Sequence, residues 1–359
     1  MPGIFDEIKI RDLVIPNRVW LSPMCQYSAV DGVPNNWHLA HLSKYAMGKV
    51  GLIMTEATAI SPTSRSTLHD TGIWNDEQML EWKKIVSFIH ELGSKIGIQL
   101  WHAGQKGSTT TPWQGQDYVS PSEGGWEAIA PSAIAFGKLP TPQVISKEEI
   151  KEVIKLYVAA AQRSLEANFD VLEIHGAHGY LIHSFLSPIT NKRDDEYGGS
   201  FENRIRFVVE VVEAIRQVWP ESRPLFLRTS SHDWIEGGWN SQENSELARI
   251  LLEKGVDLFD CSSGGIKSDI SYPVAPGYQV QFSADVKEST KMLTCAVGVI
   301  TDPAHAEEII RTSKADAVML GRELLRNPHW VLNAAIELGH ELEWLNQYKQ
   351  GKPRKVLPY

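Results

Sequence analysis

Hydrophobic positions along the chain cluster into short runs separated by stretches of mixed polarity. Eight runs are brief, apolar and rich in β-branched residues: 19–24, 51–57, 96–102, 170–175, 224–230, 257–262, 292–297 and 316–320. Near-continuous apolar runs of this length mark strands buried on both faces, as in a parallel sheet covered by helices. Between them, apolar residues recur at three- and four-residue spacing, which predicts helices over 37–47, 76–93, 146–168, 201–218, 241–254, 302–312 and 328–338. Ser146 followed by Glu149 has capping-box spacing and marks a helix start. Residues 263–291 read mostly as loop, with a short helix near 282–290.

Eight strands, each followed by a helix or room for one, predict an α/β fold of the (β/α)8 TIM-barrel type. The rival, a doubly wound open sheet, would carry a GxGxxG turn after its first strand. Here that strand runs into Ser22-Pro23-Met24-Cys25. A barrel needs about 250 residues, and the surplus in this 359-residue chain can be placed. IKIRDLVIPNRV, starting at residue 8, fits a hairpin closing the barrel bottom. The excursion 103–146, rich in Gly, Pro, Ser and Trp, follows the third strand at the C-terminal mouth, where long loops serve as lids or pocket walls. Segment 263–281 and the tail 339–359 take up the rest, so residues 1–359 read as one domain.

Charge and cysteine usage narrow the function. With 35 basic and 44 acidic residues the net charge is −9, which disfavours non-specific nucleic-acid binding. No apolar run approaches 18 residues, so no membrane helix is expected, and the acidic N-terminus does not read as a signal peptide. Cys25, Cys261 and Cys295 are too few and too scattered for a disulfide framework, a zinc ribbon or an iron–sulfur cluster. A reducing cytoplasm is the expected location.

The sharpest chemical cluster is HGAHGY, His175 to Tyr180, directly after the fourth strand. On a barrel this places two imidazoles and a phenol at the mouth. Imidazole N–H groups can grip a carbonyl or nitro oxygen, and a tyrosine can protonate a developing carbanion. The plainer alternatives are structural histidines or a metal pair joined by Glu173 or His102. Other strand ends converge on the same face. Cys25 is a flavin neighbour or a small buried hydrophobe; Ala57 lets a flat ring approach; Gln99 can donate and accept at a pyrimidine edge; Arg228 is a permanent cation for an anionic ring nitrogen. Each alone is equally a packing or salt-bridge residue. Gly298 after strand seven and Gly321-Arg322 after strand eight occupy the usual phosphate position of such barrels.

Taken together, PNRVWLSPMCQYS (16–28), EATAISPTSR (56–65), GIQLWHAG (97–104), WEAIAPSAI (126–134), HGAHGYLIHSFLSPITNKRDDEYGGSFENR (175–204), AVG (296–298) and GRELLRNPHW (321–330) resemble the Old Yellow Enzyme family, most closely its thermophilic-like bacterial subgroup. The resemblance covers nearly the whole chain. It implies non-covalent FMN at the barrel mouth, with NADPH or NADH as hydride donor. The implied activity is reduction of activated C=C bonds in α,β-unsaturated carbonyls and nitroalkenes, by hydride from flavin N5 and a proton from Tyr180. By motif position, Ser22, Pro23, Met24, Cys25, Ala57, Gln99 and Arg228 are the implied ring contacts, and Gly298, Gly321 and Arg322 hold the phosphate. His175 and His178 are the implied ligands of the substrate oxygen, beside a second active-site tyrosine, Tyr27. The partners implied are a small-molecule substrate and a homodimer or homotetramer.

The sequence departs from the family at Gln105, where arginine is usual, with Lys106 following; no anion contact is carried over to that position. In the tail, Arg354 and Tyr359 are candidates for a role in a neighbouring subunit's site, and a solvated basic end is the plainer reading. An iron–sulfur flavin barrel would need a cysteine cluster. A non-catalytic FMN barrel would be expected to lack the set His175, His178 and Tyr180, which is present.

Overall fold

The structure, a computed structural model, describes residues 1–353. Arg354 and Tyr359 lie outside the described residues. The chain opens with an antiparallel hairpin, β1 (Ile8–Ile10) and β2 (Leu13–Ile15). Eight strands then close a parallel barrel: β3 (Val19–Leu21), β4 (Leu52–Ala59), β5 (Lys95–Trp101), β8 (Val171–Gly176), β9 (Leu225–Ser230), β10 (Leu258–Ser262), β11 (Leu293–Ala296) and β12 (Ala317–Leu320). Two short strands, β6 (Ile129–Ala130) and β7 (Gln143–Val144), pair with each other inside the excursion after β5. Closure is made by β12 on β3, where Val318, Met319 and Leu320 pair with Val19, Trp20 and Leu21.

The helices are α1 (Asn36–Met47), α2 (Asp76–Glu91), α3 (Lys147–Glu166), α4 (Leu181–Leu186), α5 (Phe201–Arg216), α6 (Ser241–Glu253), α7 (Val280–Thr290), α8 (Pro303–Arg311), α9 (Arg322–Arg326) and α10 (Trp330–Glu337). The predicted eight strands and seven amphipathic helices are all present, with ends moved by a few residues. The expected helix near 282–290 is α7. At α3 the capping box forms: Ser146 Oγ accepts from the Glu149 N–H at 3.2 Å, and the Glu149 carboxylate accepts from the Ser146 N–H at 2.7 Å. Helices α4 and α9 were not expected.

Period-two alternation in each strand sorts its side chains between two layers. On β8, Leu172 and Ile174 face the helices, while Val171 joins the interior cluster. On β9, Leu225 and Leu227 face outward and Phe226 inward. The interior cluster of Trp20, Leu52, Met54, Val171, Phe226, Leu258, Cys295 and Ala317 is closed by Ile8, Ile10 and Ile15 of the hairpin. The bottom of the barrel is therefore solid, and the same parity raises polar side chains above it toward the mouth. Cys261 packs outward and Cys295 inward, both buried as strand filler.

Candidate active site

Each barrel strand that carries a candidate residue delivers it at its C-terminal end. Gln99 on β5 pairs in register with Glu173 on β8, and Arg228 on β9 sits between His175 and Asp260 of the neighbouring strands. A register shift in β4 between Met54 and Ala57 turns Ala57 into the cavity wall. The adjoining Glu56 is buried, accepts from the Gln26 N–H at 3.0 Å, and lies 3.3 Å from His38 Nε2. This pins the segment after β3, where Tyr27 has a left-handed φ of 50°.

A narrow cavity of about 130 Å3 is lined by Pro23, Cys25, Ala57, Gln99, Trp101, His175, His178, Tyr180 and Arg228. A wider one of about 380 Å3 shares Arg228 and runs past Ser22, Tyr278 and Gln279 to Gly298, Gly321 and Arg322. A third, of about 460 Å3, is walled by the excursion and has Tyr27, Lys106 and Tyr180 on its inner side. The predicted residues thus converge, except that Met24 packs against the core beside Gly321 and lines none of these three cavities.

Within the narrow cavity the His175 ring lies 5.2 Å from that of His178 and 5.0 Å from that of Tyr180, both edge-on. Trp101, which sequence reasoning did not single out, sits edge-on to Tyr180 at 4.5 Å. His175 Nδ1 accepts from the Ala177 N–H at 3.1 Å, so its proton is on Nε2. His178 Nε2 is 2.7 Å from Ser262 Oγ, which leaves Nδ1 for a ligand. Burial, reinforced by the Arg228 cation, holds both imidazoles well below the usual histidine range. Burial also keeps the Tyr180 phenol protonated far above its ordinary value, and raises Cys25 and Tyr27 likewise.

The turn carrying these groups is braced from three sides. His178 and Gly179 both have left-handed φ values, 59° and 76°. A Cβ on Gly179 would fall 2.2 Å from Gly265 O, so only glycine fits. Gln105 donates to Gly179 O at 3.1 Å, and Lys106 Nζ donates to His178 O at 2.6 Å and Gly265 O at 2.7 Å. The two residues at the departure from the family motif therefore serve as braces. Burial lowers Lys106 to about 7. From below, His183 Nδ1 accepts from the Gly179 N–H at 2.8 Å. Among the described residues no three His, Cys, Asp or Glu side chains come together as a metal would require.

The shape and donor set fit FMN. A narrow end with an amide (Gln99) and a cation (Arg228) suits the ring, and Arg228 connects it to the wider end. There Gly298, at φ 116°, leaves the backbone open where a Cβ would lie 3.1 Å from Gln279 Nε2, and Arg322 supplies positive charge for a phosphate.

The comparisons agree. The sequence is 45% identical to NADPH dehydrogenase of Bacillus subtilis over 352 residues, covering 97% of this chain and 98% of that protein. It is also 45% identical to an NADH:flavin oxidoreductase of Gibberella zeae, covering 96% of this chain and 88% of that one. Among solved structures, morphinone reductase superposes with a TM-score of 0.79 at 30% identity, over 95% of this chain and 91% of its own. Residues 3–341 match the family described as NADH:flavin oxidoreductase / NADH oxidase. The chain belongs to this family, the Old Yellow Enzyme family, and is an FMN-dependent oxidoreductase that draws on a nicotinamide coenzyme.

Proposed function

We propose that the protein uses NADPH to reduce the activated C=C bond of α,β-unsaturated carbonyls and nitroalkenes, with Tyr180 as proton donor. The observation that carries this reading is the mutual placement of His175, His178 and Tyr180 around one cavity with Gln99 and Arg228. The coenzyme preference follows the name of the Bacillus subtilis relative.

FMN, when bound, would supply the hydride-transfer chemistry between nicotinamide and substrate. Ser22, Pro23, Cys25, Ala57, Gln99 and Arg228 would hold the ring, with the backbone around Met24. Gly298, Gly321 and Arg322 would hold the phosphate. His175 Nε2–H, and His178 Nδ1–H when Ser262 Oγ–H donates to its Nε2, bind the substrate oxygen as neutral donors. Neutrality matters, because an imidazolium pair 5.2 Å apart beside Arg228 would repel itself. As negative charge grows on that oxygen, two fixed donors stabilise it without reorganisation. Tyr180 keeps its proton until the α-carbon becomes basic enough to take it. Tyr27 lines the outer cavity with Tyr180, and residues of the excursion wall it.

Anaerobic stopped-flow kinetics test this. Tyr180→Phe should slow reoxidation by cyclohexenone by roughly 10²-fold or more and leave reduction by NADPH near wild type. Equal loss in both halves would refute the proton-donor role. Failure of cyclohexenone and nitroalkenes to reoxidise the wild-type enzyme would refute the substrate class.

A further inference from the structure

Below the cavity, strand parity gathers a second polar group that the proposed reaction does not use. Gln99, Glu173, Arg228 and Asp260 come from β5, β8, β9 and β10, with Glu173 in register with Gln99 and Asp260 in register with Arg228. Glu173 and Asp260 are both fully buried. Gln99 Nε2 donates to Glu173 Oε1 at 2.7 Å, Arg228 Nε lies 3.2 Å from Asp260 Oδ2, and an Arg228 terminal nitrogen donates to Ser22 Oγ at 3.0 Å. The remaining oxygens are orphans: Glu173 Oε2 and both Asp260 oxygens have no hydrogen-bond partner.

We infer that Glu173 and Asp260 hold one proton between them, carried on Glu173, so that the Arg228–Asp260 pair is electrically balanced beneath the cofactor ring. Two buried carboxylates served by a single guanidinium would leave an uncompensated negative charge in a medium that penalises it by many kcal/mol. One proton removes that charge. The proton belongs on Glu173 because of the partners each carboxyl has. Asp260 faces the cation, whereas Glu173 faces the neutral Gln99 amide, whose N–H serves the carbonyl oxygen of an undissociated acid equally well. Burial, then the neighbouring Asp260, push Glu173 up to about 8 against the opposing pull of Arg228 and Gln99. Asp260 is raised by burial and opposed by Arg228. The other titratable groups here are His175, one step along β8, and the Cys295 thiol on β11, itself raised by burial and by both acids.

The consequence concerns the flavin directly. While Glu173 is neutral, the group under the ring carries no net charge to oppose the negative charge that reduction brings. When it ionises, one added negative charge at this depth makes reduction harder. In either state of Glu173 the Gln99 N–H is committed to Glu173 Oε1, which leaves the Gln99 amide oxygen for the ring edge. The consequence for the potential rests on the FMN assignment alone and is indifferent to the oxidising substrate.

Two measurements on the holoenzyme test it. Infrared difference spectroscopy at about pH 7 should show a protonated-carboxyl C=O band that fades as pH rises through about 8 and is missing in Glu173→Gln. Absence of the band in the wild type, or its persistence in the variant, overturns the assignment. The wild-type spectrum suffices if the variant does not fold. Spectroelectrochemical titration should give Glu173→Gln the wild-type midpoint potential at neutral pH, and only the wild type should show an additional fall above about pH 8. A raised potential in the variant at neutral pH would mean that Glu173 is ionised there and would overturn the inference. A preparation that binds no FMN while keeping the infrared band would contradict the cofactor reading and leave the shared proton standing.

Discussion

At the scale of single residues, the mouth of this barrel is controlled by burial more than by local charge. Both imidazoles stay neutral, Tyr180 stays protonated and Lys106 falls to about 7 because water is excluded from them. Lys106 gives this a measurable sign. Its folded-state value lies below its unfolded value of 10.5, so between about 7 and 10.5 the unfolded chain binds the extra proton. Stability must therefore rise with pH across that window as the cost of a buried ammonium is relieved. In thermal unfolding, the Tm of wild type relative to Lys106→Met should climb as the buffer moves from about pH 7 to about pH 10. A difference that stays flat would show that the ammonium is not desolvated. His175→Ala should weaken substrate reduction by roughly 10²-fold through loss of one oxygen ligand, without releasing FMN, as read from the flavin absorbance of the purified variant.

At the scale of elements, legibility followed periodicity. Strands buried on both faces announce themselves as apolar runs, and long surface helices as a three-to-four repeat, so both were readable. Helix α4 was not, because LIHSFL is buried on every side and has no polar face to set a period. Helix α9 is five residues long, too short to repeat. The site showed the same division. His175, His178, Tyr180, Gln99 and Arg228 stood at strand ends where motif and parity could find them. Trp101 shares Gln99's face two residues on, and Glu173 shares that of His175 two residues back, so parity was the signal that could have found Trp101 and given Glu173 a place beside the site. The bracing by Gln105, Lys106 and His183 had no local signal, since it joins loops far apart in sequence. The capping box of α3 offers a clean test, being solvent-exposed, outside the three cavities and fully formed. Ser146→Ala should cost about 1 kcal/mol in chemical denaturation and leave turnover unchanged. A change in turnover would mean that α3 is coupled to the excursion preceding it.

At the scale of the whole molecule, the hairpin seals one end of the barrel and the ligand site keeps the other end open. FMN would touch β3, β5 and β9 through its ring and the loops after β11 and β12 through its phosphate. Binding should therefore clamp both halves of the barrel, and a ligand that binds only the folded state raises stability by RT ln(1 + [L]/Kd). Apoprotein should gain Tm on adding FMN and gain less on adding riboflavin, which has the same ring and no phosphate. Arg322 separates the two contributions. It is exposed at the rim of the wide cavity, where a charge-assisted contact contributes about 1.5–3 kcal/mol before screening. Arg322→Ala should therefore weaken FMN by roughly tenfold and leave riboflavin affinity where it was. Added salt should narrow the difference between wild type and variant for FMN only, because the lost contact is Coulombic and solvent-facing. Equal weakening of both ligands would assign Arg322 to the shape of the α9 turn, and the phosphate would then rest on the backbone around Gly298 and Gly321.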